Sequence, residues 1–397
     1  MMAPDEARAA MLAAFAATPQ TESVALDDAL GRVLAEDIVA RRDQPPFAGS
    51  AMDGYALRGA DTPGRLRVIG EAAAGRGFDG ALGQGEAARI FTGAPMPEGA
   101  DCVLIQEDAK REGDVLIAPG VEPGRHVRAR GVDFHAEDIL LRRGARLDGV
   151  GLSLAAASGA PMLQVYERPR IAIMATGDEI VAPGQEAAAH QIYESGSFGV
   201  AALVKSWGGE AKRVKAQGDD LAAIAQAMQA ALAEADLLVT IGGASVGDHD
   251  LVRPALETFE ARFAVEKIAV RPGKPTFLAR TKIGYALGLP GNPASGLVSA
   301  HLFLKPLIEA WFGRAPAPVF RRARLAAPLP KNGPREHYLR ARSDIEAGAL
   351  IVRAAEAQDS SLLSVFQSAN ALIRRMPNAP AAEAGEFVDM LDLERAP

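Results

Sequence analysis

The sequence predicts a multidomain α/β protein: an elongated N-terminal domain with an inserted β-rich domain, a doubly wound α/β domain, and a small C-terminal β-barrel. Three observations carry this. From about residue 168 to 311, short apolar runs alternate with helical patterns, as in a parallel sheet covered on both faces. Residues 46–135 are rich in glycine and proline and hold only short apolar runs. Beyond about residue 317 the helical period disappears and short β-like segments alternate with turn residues. A length of 397 residues agrees, since it exceeds one ordinary core.

The elements follow in order. Ala9, Met11, Leu12, Phe15 and Ala16 form one apolar helical face. Leu26, Leu30, Val33 and Leu34 form a second, at spacings of three and four. Arg41-Arg42-Asp43-Gln44-Pro45-Pro46 then ends the pattern. Runs at 66–69, 88–91 and 103–105 are the strands expected in the insert, 46–135. The stretch 139–165 predicts strand, turn and short helix, so the first domain is expected to comprise 1–45 and 136–168. In the α/β domain, 169–316, strands are expected at 171–174, 237–241 and 286–289. Helices are expected there at 198–207, 222–235 and from about 294 to 311. The last domain, 317–397, holds β segments at 321–327, 338–343, 350–352, 371–374 and 387–391.

Composition excludes several classes. A formal net charge of −7 excludes an overall basic nucleic-acid binder. One cysteine, Cys102, excludes an internal disulfide framework and a cysteine-cluster zinc site, and is expected to be structural. The histidines show no ligand spacing, so no zinc or iron site is expected. The N-terminus lacks a basic start before an apolar core, so no secretory signal is expected. The uncharged stretch 284–304 is broken by Pro290, Gly291, Asn292 and Pro293, which suits a strand, turn and helix rather than a membrane span. A soluble, cytoplasmic protein is expected.

Four loops of the α/β domain carry unusual chemistry. Thr176-Gly177-Asp178-Glu179 follows a strand; its acids suit either magnesium or a helix N-terminus. Gly242-Gly243-Ala244-Ser245-Val246-Gly247-Asp248-His249-Asp250 is either a phosphate cradle with a metal-binding acid or a helix cap. It is not a Walker loop, because no Gly-Lys-Ser/Thr follows. Arg271-Pro272-Gly273-Lys274-Pro275 places two cations around a turn and favours an anion. Leu289-Pro290-Gly291-Asn292-Pro293 opens a helix whose dipole favours an anion. Such sheets bind ligands where their strands end. Four loops of this kind in one domain point to a phosphorylated ligand with a divalent ion.

Together with Ser50-Ala51-Met52-Asp53-Gly54-Tyr55-Ala56 and Thr92-Gly93-Ala94-Pro95, these motifs resemble, in order and spacing, the molybdopterin molybdenumtransferase (MoeA) family, which is similar to the C-terminal part of gephyrin. The resemblance implies a homodimer of four-domain subunits, with the 169–316 domain binding molybdopterin. It implies insertion of molybdenum from molybdate into adenylylated molybdopterin, with magnesium assisting and AMP leaving. The site would lie between the third domain of one subunit and the first two of its partner. The resemblance makes Asp53, Glu179 and Asp250 catalytic, the last two as magnesium ligands. It assigns substrate binding to Thr92, Asp133, Thr176, Gly177, Asp219, Gly242, Gly243, Ser245, Arg271, Lys274, Pro290, Asn292, Pro293, Arg340 and Ser360, the last two near molybdate.

Arg271 sits where the family often has lysine. Two departures stand out: Tyr193-Glu194-Ser195-Gly196 replaces an Asp-Ser/Thr-Asn step, which removes an amide from the pocket, and Gln358-Asp359-Ser360-Ser361 replaces a common Gln-Gly-Ser. A molybdopterin adenylyltransferase is the implied upstream partner, with molybdoenzymes or their chaperones downstream, and neither nucleic acid nor membrane among the partners. Two alternatives share these motifs, a non-catalytic pterin-binding scaffold and an adenylyltransferase acting one step earlier; the intact acids and the additional domains favour insertion.

Overall fold

The computed structural model describes residues 1–16, 18–243, 251–314 and 318–393. The chain divides into two compact units, Glu22–Val165 and Met1–Thr21 with Tyr166–Pro397. The apolar runs of the larger unit become one six-stranded sheet. Arg170–Ala175 lies between Glu210–Arg213 and Leu237–Ile241, and Gly284–Leu289 follows Leu237–Ile241, all parallel. Side chains on a strand alternate between the two faces, yet every residue of Leu237–Ile241 is buried. Helices therefore cover both faces, which explains runs without polar alternation. On one face Ile224, Met228 and Leu232 of helix Leu221–Leu232, with Val252 and Leu256 of helix Val252–Glu257, pack on Ala172, Met174 and Leu238. Fully burying an aliphatic side chain contributes about 1.5–3 kcal/mol, so this layer holds the sheet's register.

The sheet also has an antiparallel extension that sequence reasoning did not contain. Phe277–Thr281 pairs antiparallel with Gly284–Leu289, and Arg262–Val265 with Phe277–Thr281. Phe277 stands opposite Gly288, and its ring fills the space a side chain would take. The expected 294–311 helix is continuous but changes pitch. Helix Pro293–Ser299 passes through a π-helical turn, Ala300–Leu304, into helix Lys305–Trp311. Pro306 has no N–H for the usual bond four residues back, and the wider turn accommodates that gap.

The C-terminal strands close into a barrel. Around it run Glu336–Glu346, Ala349–Ala354, Phe320–Leu325, Phe387–Asp392 and Ala371–Arg375, which returns to Glu336–Glu346. Closure removes the exposed sheet edges. The barrel core includes Leu325, Leu339, Val352, Ile373 and Met390. Val270–Arg271 joins the start of Glu336–Glu346 in parallel. A short helix, Leu363–Ser368, interrupts the all-β expectation.

The smaller unit holds a curled six-stranded sheet in the order Cys102–Ile105, Gly54–Leu57, Glu86–Ile90, Gly64–Ala72, Val115–Ala118, Lys110–Glu112. Apolar clusters form on it around Leu57, Leu66 and Leu104, and around Ile90 and Val103. A separate cluster joins Val24, Leu34 and Ile38 to Leu147, Leu163 and Val165, from either side of that sheet in sequence. The second helical face expected near residue 30 is not a helix. Only Leu26–Asp28 forms a 3₁₀ turn, after which Val33 and Leu34 make isolated strand bridges. Gly31, at φ +72°, turns the chain out of any helix. Among the described residues no helix is long and apolar enough to cross a membrane.

Replacing Gly288 by alanine is expected to destabilise the larger unit by about 1–3 kcal/mol, because the new Cβ would stand 2.0 Å from the Phe277 ring. Urea unfolding followed by tryptophan fluorescence checks this; an unchanged midpoint would contradict the packing described.

Candidate functional site

Three of the four loops meet at the C-terminal ends of the parallel strands. Thr176 N–H donates to the Ile241 carbonyl at 3.0 Å and Gly242 N–H to Leu289 O at 3.2 Å. Gly242 has φ +90°, and a Cβ there would lie 2.6 Å from the Thr176 carbonyl oxygen. A Cβ on Gly291 would lie 3.2 Å from the Gly242 Cα. Backbone thus crosses backbone at all three strand ends, and glycine lets a ligand approach the N–H groups. The Thr176 hydroxyl is buried beside Gly242 and Gly243 without a hydrogen-bond partner among the described residues.

The acids around this mouth divide by role. Asp178 Oδ1 accepts from Asp219 N–H at 2.9 Å and ties the first loop to the 218–219 turn. Asp220 caps helix Leu221–Leu232, accepting from Ala223 N–H at 2.6 Å. That leaves Asp219 as the exposed, uncommitted member of the pair. Glu179 is exposed, and its carboxylate folds back over Gly177, at φ +139°, without a hydrogen-bond partner among the described residues. Its oxygens are thus open to a hard cation, which takes oxygen ligands. Ser245 and Asp250, with the rest of 244–250, lie outside the described residues.

The remaining loop, 271–275, faces the barrel. Arg271 and Lys274 are exposed and form no ion pair among the described residues, while Gly273, at φ +116°, packs on Ser299. Asn292 Nδ2 donates to Ser360 Oγ at 2.8 Å, joining two residues that sequence reasoning had assigned separately. Pro293 opens the helix and Pro290 is buried. Arg340 is 1% exposed. Its backbone N–H and Nε donate to Gln358 Oε1 and one terminal nitrogen donates to Asp359 O, so it arranges the 358–360 loop from beneath. Ser361, through hydroxyl and N–H, holds the Asp359 carboxyl below the usual range. His337, paired in register with Arg271, is pushed down to about 4, first by burial and then by Arg271, Arg340 and Arg335.

Within the smaller unit, Asp53 and Thr92 do come together. Asp53 Oδ1 accepts from the Thr92 N–H at 2.7 Å and hydroxyl at 2.8 Å. Those two donors, the N–H foremost, hold the Asp53 carboxyl below its usual range; Arg89 adds a smaller pull. Arg89 in turn donates to Gly54 O and Gln106 Oε1. Asp133 is exposed, with its N–H on Gln44 O at 3.0 Å and its side chain unpartnered among the described residues.

The Glu194-Ser195-Gly196 departure has a packing reason. Glu194 is 8% exposed and accepts from both N–H and hydroxyl of Ser197 at 2.6 Å, capping helix Gly196–Ser206. A Cβ at Gly196 would lie 3.0 Å from Ile241 Cγ2, so an asparagine would crowd the central strand. The cap borders a cavity of about 290 Å³ with Arg213, which stacks 3.5 Å from the Phe198 ring centroid. Cys102 is buried, and burial with nearby Asp101 pushes its thiol up to about 12, which fits a structural residue. Sequence reasoning missed Asp178 as a tether, Gln358 as the Arg340 acceptor, and His337. Only the last had a signal, a histidine inside a run of arginines.

Comparisons with known proteins cover nearly the whole chain. The model for the MoeA N-terminal region (domain I and II) matches residues 2–159, that for a probable molybdopterin binding domain 172–310, and that for the MoeA C-terminal region (domain IV) 322–393. A molybdopterin molybdenumtransferase of Haemophilus influenzae is 34% identical over 98% of this chain and 98% of its own. One from Nostoc sp. is 39% identical over 80% of this chain and 76% of its own. The crystal structure of a molybdopterin biosynthesis MoeA protein from Pyrococcus horikosii superposes with a TM-score of 0.85 at 30% identity, covering 100% of both chains.

Asp220→Ala is expected to cost about 1 kcal/mol of stability through the lost cap, whereas Asp219→Ala changes stability little; paired denaturant curves check the division. His337 supplies a pH test. The unfolded imidazole binds its proton near 6.5 and the folded one only near 4, so acid favours the unfolded chain between those values. Stability should fall by up to about 3 kcal/mol across that window and level off below it. Comparing wild type with His337→Gln from pH 7 to 4 isolates this term; identical slopes would contradict it.

Proposed function

The chain belongs to the MoeA family of molybdopterin molybdenumtransferases, and we propose that it serves molybdenum cofactor biosynthesis by inserting molybdenum from molybdate into adenylylated molybdopterin, releasing AMP. The observation that carries this reading is the meeting of three glycine loops where the parallel strands end, with Asn292 bonded there to Ser360 of the barrel. A phosphate-bearing substrate needs exposed backbone donors and a nearby cationic group for the second, anionic reactant.

In the proposed reaction the turns at Gly177, Gly242 and Gly243 cradle the phosphates, with Thr176, Pro290 and Pro293 shaping the wall; Ser245 is assigned to substrate binding on the family resemblance. Glu179 and Asp250 would hold Mg²⁺, whose charge offsets that developing on the phosphate as the adenylate bond breaks. Asp219 is proposed to orient the substrate beside them. Arg271 and Lys274 collect molybdate, a tetrahedral dianion, at the face toward Ser360; Arg271 adds a planar fork where lysine would give a point charge. Arg340 acts by positioning the Ser360 loop. Asp53, Thr92 and Asp133 are proposed to act in the same reaction. Transfer of the dithiolene to the oxyanion requires no protein nucleophile. The proposed enzyme is a cytoplasmic homodimer supplied by a molybdopterin adenylyltransferase, with molybdoenzymes or their chaperones taking the product.

A defined assay tests this: purified protein, adenylylated molybdopterin, magnesium and low molybdate, following AMP release and finished cofactor. Glu179→Gln is expected to lower kcat by about 100-fold or more, an electrostatic loss. Lys274→Ala should raise the molybdate concentration for half-maximal rate by about tenfold. Tight pterin binding without AMP release at any molybdate level would overturn the reading.

A further inference from the structure

Two arginines flank His337 across the barrel strand Glu336–Glu346. Arg271 is the register partner of His337 on one side, and Arg375 is its partner on the other. Two guanidinium charges gathered around one point of a sheet repel each other unless something neutralises them. They border a cavity of about 460 Å³, together with Lys331; Glu356 is the one carboxylate lining it among the described residues.

Arg375 is the decisive group. It is 8% exposed, yet no carboxylate pairs with it among the described residues. One terminal nitrogen donates to the carbonyls of Pro330 and Pro380, and its buried Nε has no partner. Arg374, its neighbour on the strand, shows the contrast. Its Nε meets Glu336, itself 3% exposed, at 2.6 Å, and a terminal nitrogen meets Asp5 at 2.9 Å. The same barrel therefore neutralises a buried arginine where the role is structural and leaves one unneutralised at the cavity. An unpaired buried charge is costly, so a cavity of this kind suits an external anion.

We propose that this cavity binds a tetrahedral oxyanion through Lys331, His337 and Arg375; Arg271 borders it and is shared with the molybdate-collecting face proposed above, whereas Lys274 and Ser360 do not line it. The oxyanion is either free or the phosphate head of a small ester, whose body would rest on apolar residues such as Leu339. The volume exceeds what a lone oxyanion fills, leaving room for that body or for ordered water. Facing His337 are Arg271 from one strand, Arg375 from another, Arg335 and Arg340 on its own, and Lys331 and Glu356 from the adjoining loops. Burial first, and then the nearby arginines, keep the imidazole neutral at pH 7, so it can donate one N–H. A bound dianion offsets them, and His337 then takes up a proton.

Calorimetric titration of the full-length protein tests this without turnover; the phosphate arm does not depend on the transferase reading, and in the molybdate and AMP arms only a loss in the Lys331 and His337 variants reports this cavity. Inorganic phosphate, molybdate and AMP are titrated in separate arms into wild type, Lys331→Ala, His337→Gln and Ser360→Ala. Lys331 is exposed, so its variant keeps the fold. At least one ligand should bind wild type, and the Lys331 and His337 changes should each weaken it by about tenfold, with Ser360→Ala unaffected. Binding of phosphate or molybdate alone would identify a free oxyanion; tighter binding of AMP would identify the ester. Failure of all three to bind at millimolar concentration, or affinity lost only in Ser360→Ala, would overturn the proposal.

Discussion

The site depends on one steric constraint, the crossing of backbones where three parallel strands end. Gly242 lies close enough to the Thr176 carbonyl, and Gly291 to the Gly242 Cα, that side chains at these points would push the loops apart. That crossing exists because Arg170–Ala175, Leu237–Ile241 and Gly284–Leu289 are adjacent and in parallel register, so their ends reach one level. The register follows in turn from burial on both sheet faces. Apolar side chains remote from the crossed loops thus determine where the backbone donors of the proposed phosphate cradle stand.

Much of this was legible in the sequence. The buried strands appeared as uninterrupted apolar runs because no residue of a doubly covered strand faces water. The barrel strands appeared as short β-like segments because turn residues separate them. What stayed hidden depended on contacts between distant residues. The Phe277–Thr281 strand is recognisable only through the Phe277–Gly288 pair, which no local pattern announces. The false helix near residue 30 had the right spacing, but Gly31 and strand partners beyond residue 144 outweigh a weak local period. The π-helical turn is a backbone response to Pro306 that apolar spacing does not encode.

The same division holds for the site. Motif resemblance named Asn292 and Ser360 without linking them, and the fold joins them by a hydrogen bond. It named Asp219, and helix geometry distinguishes it from its neighbour Asp220, which is committed to the cap. Arg340 was assigned to substrate binding near molybdate; it is buried and holds the loop above it. The departure at Gly196 is explained by Ile241, a residue forty-five positions away in the chain. In each case residue type was informative, whereas the role depended on which donors and acceptors the fold had already engaged.

The account's central claim is that adenylylated molybdopterin lies across the three crossed loops. A crystal structure with that substrate, grown without molybdate, tests it most directly. The account predicts the substrate phosphates against the backbone N–H groups at Gly177, Gly242 and Gly243, with Glu179 and Asp219 beside them. Substrate bound elsewhere on the chain, with these loops bare, would contradict it.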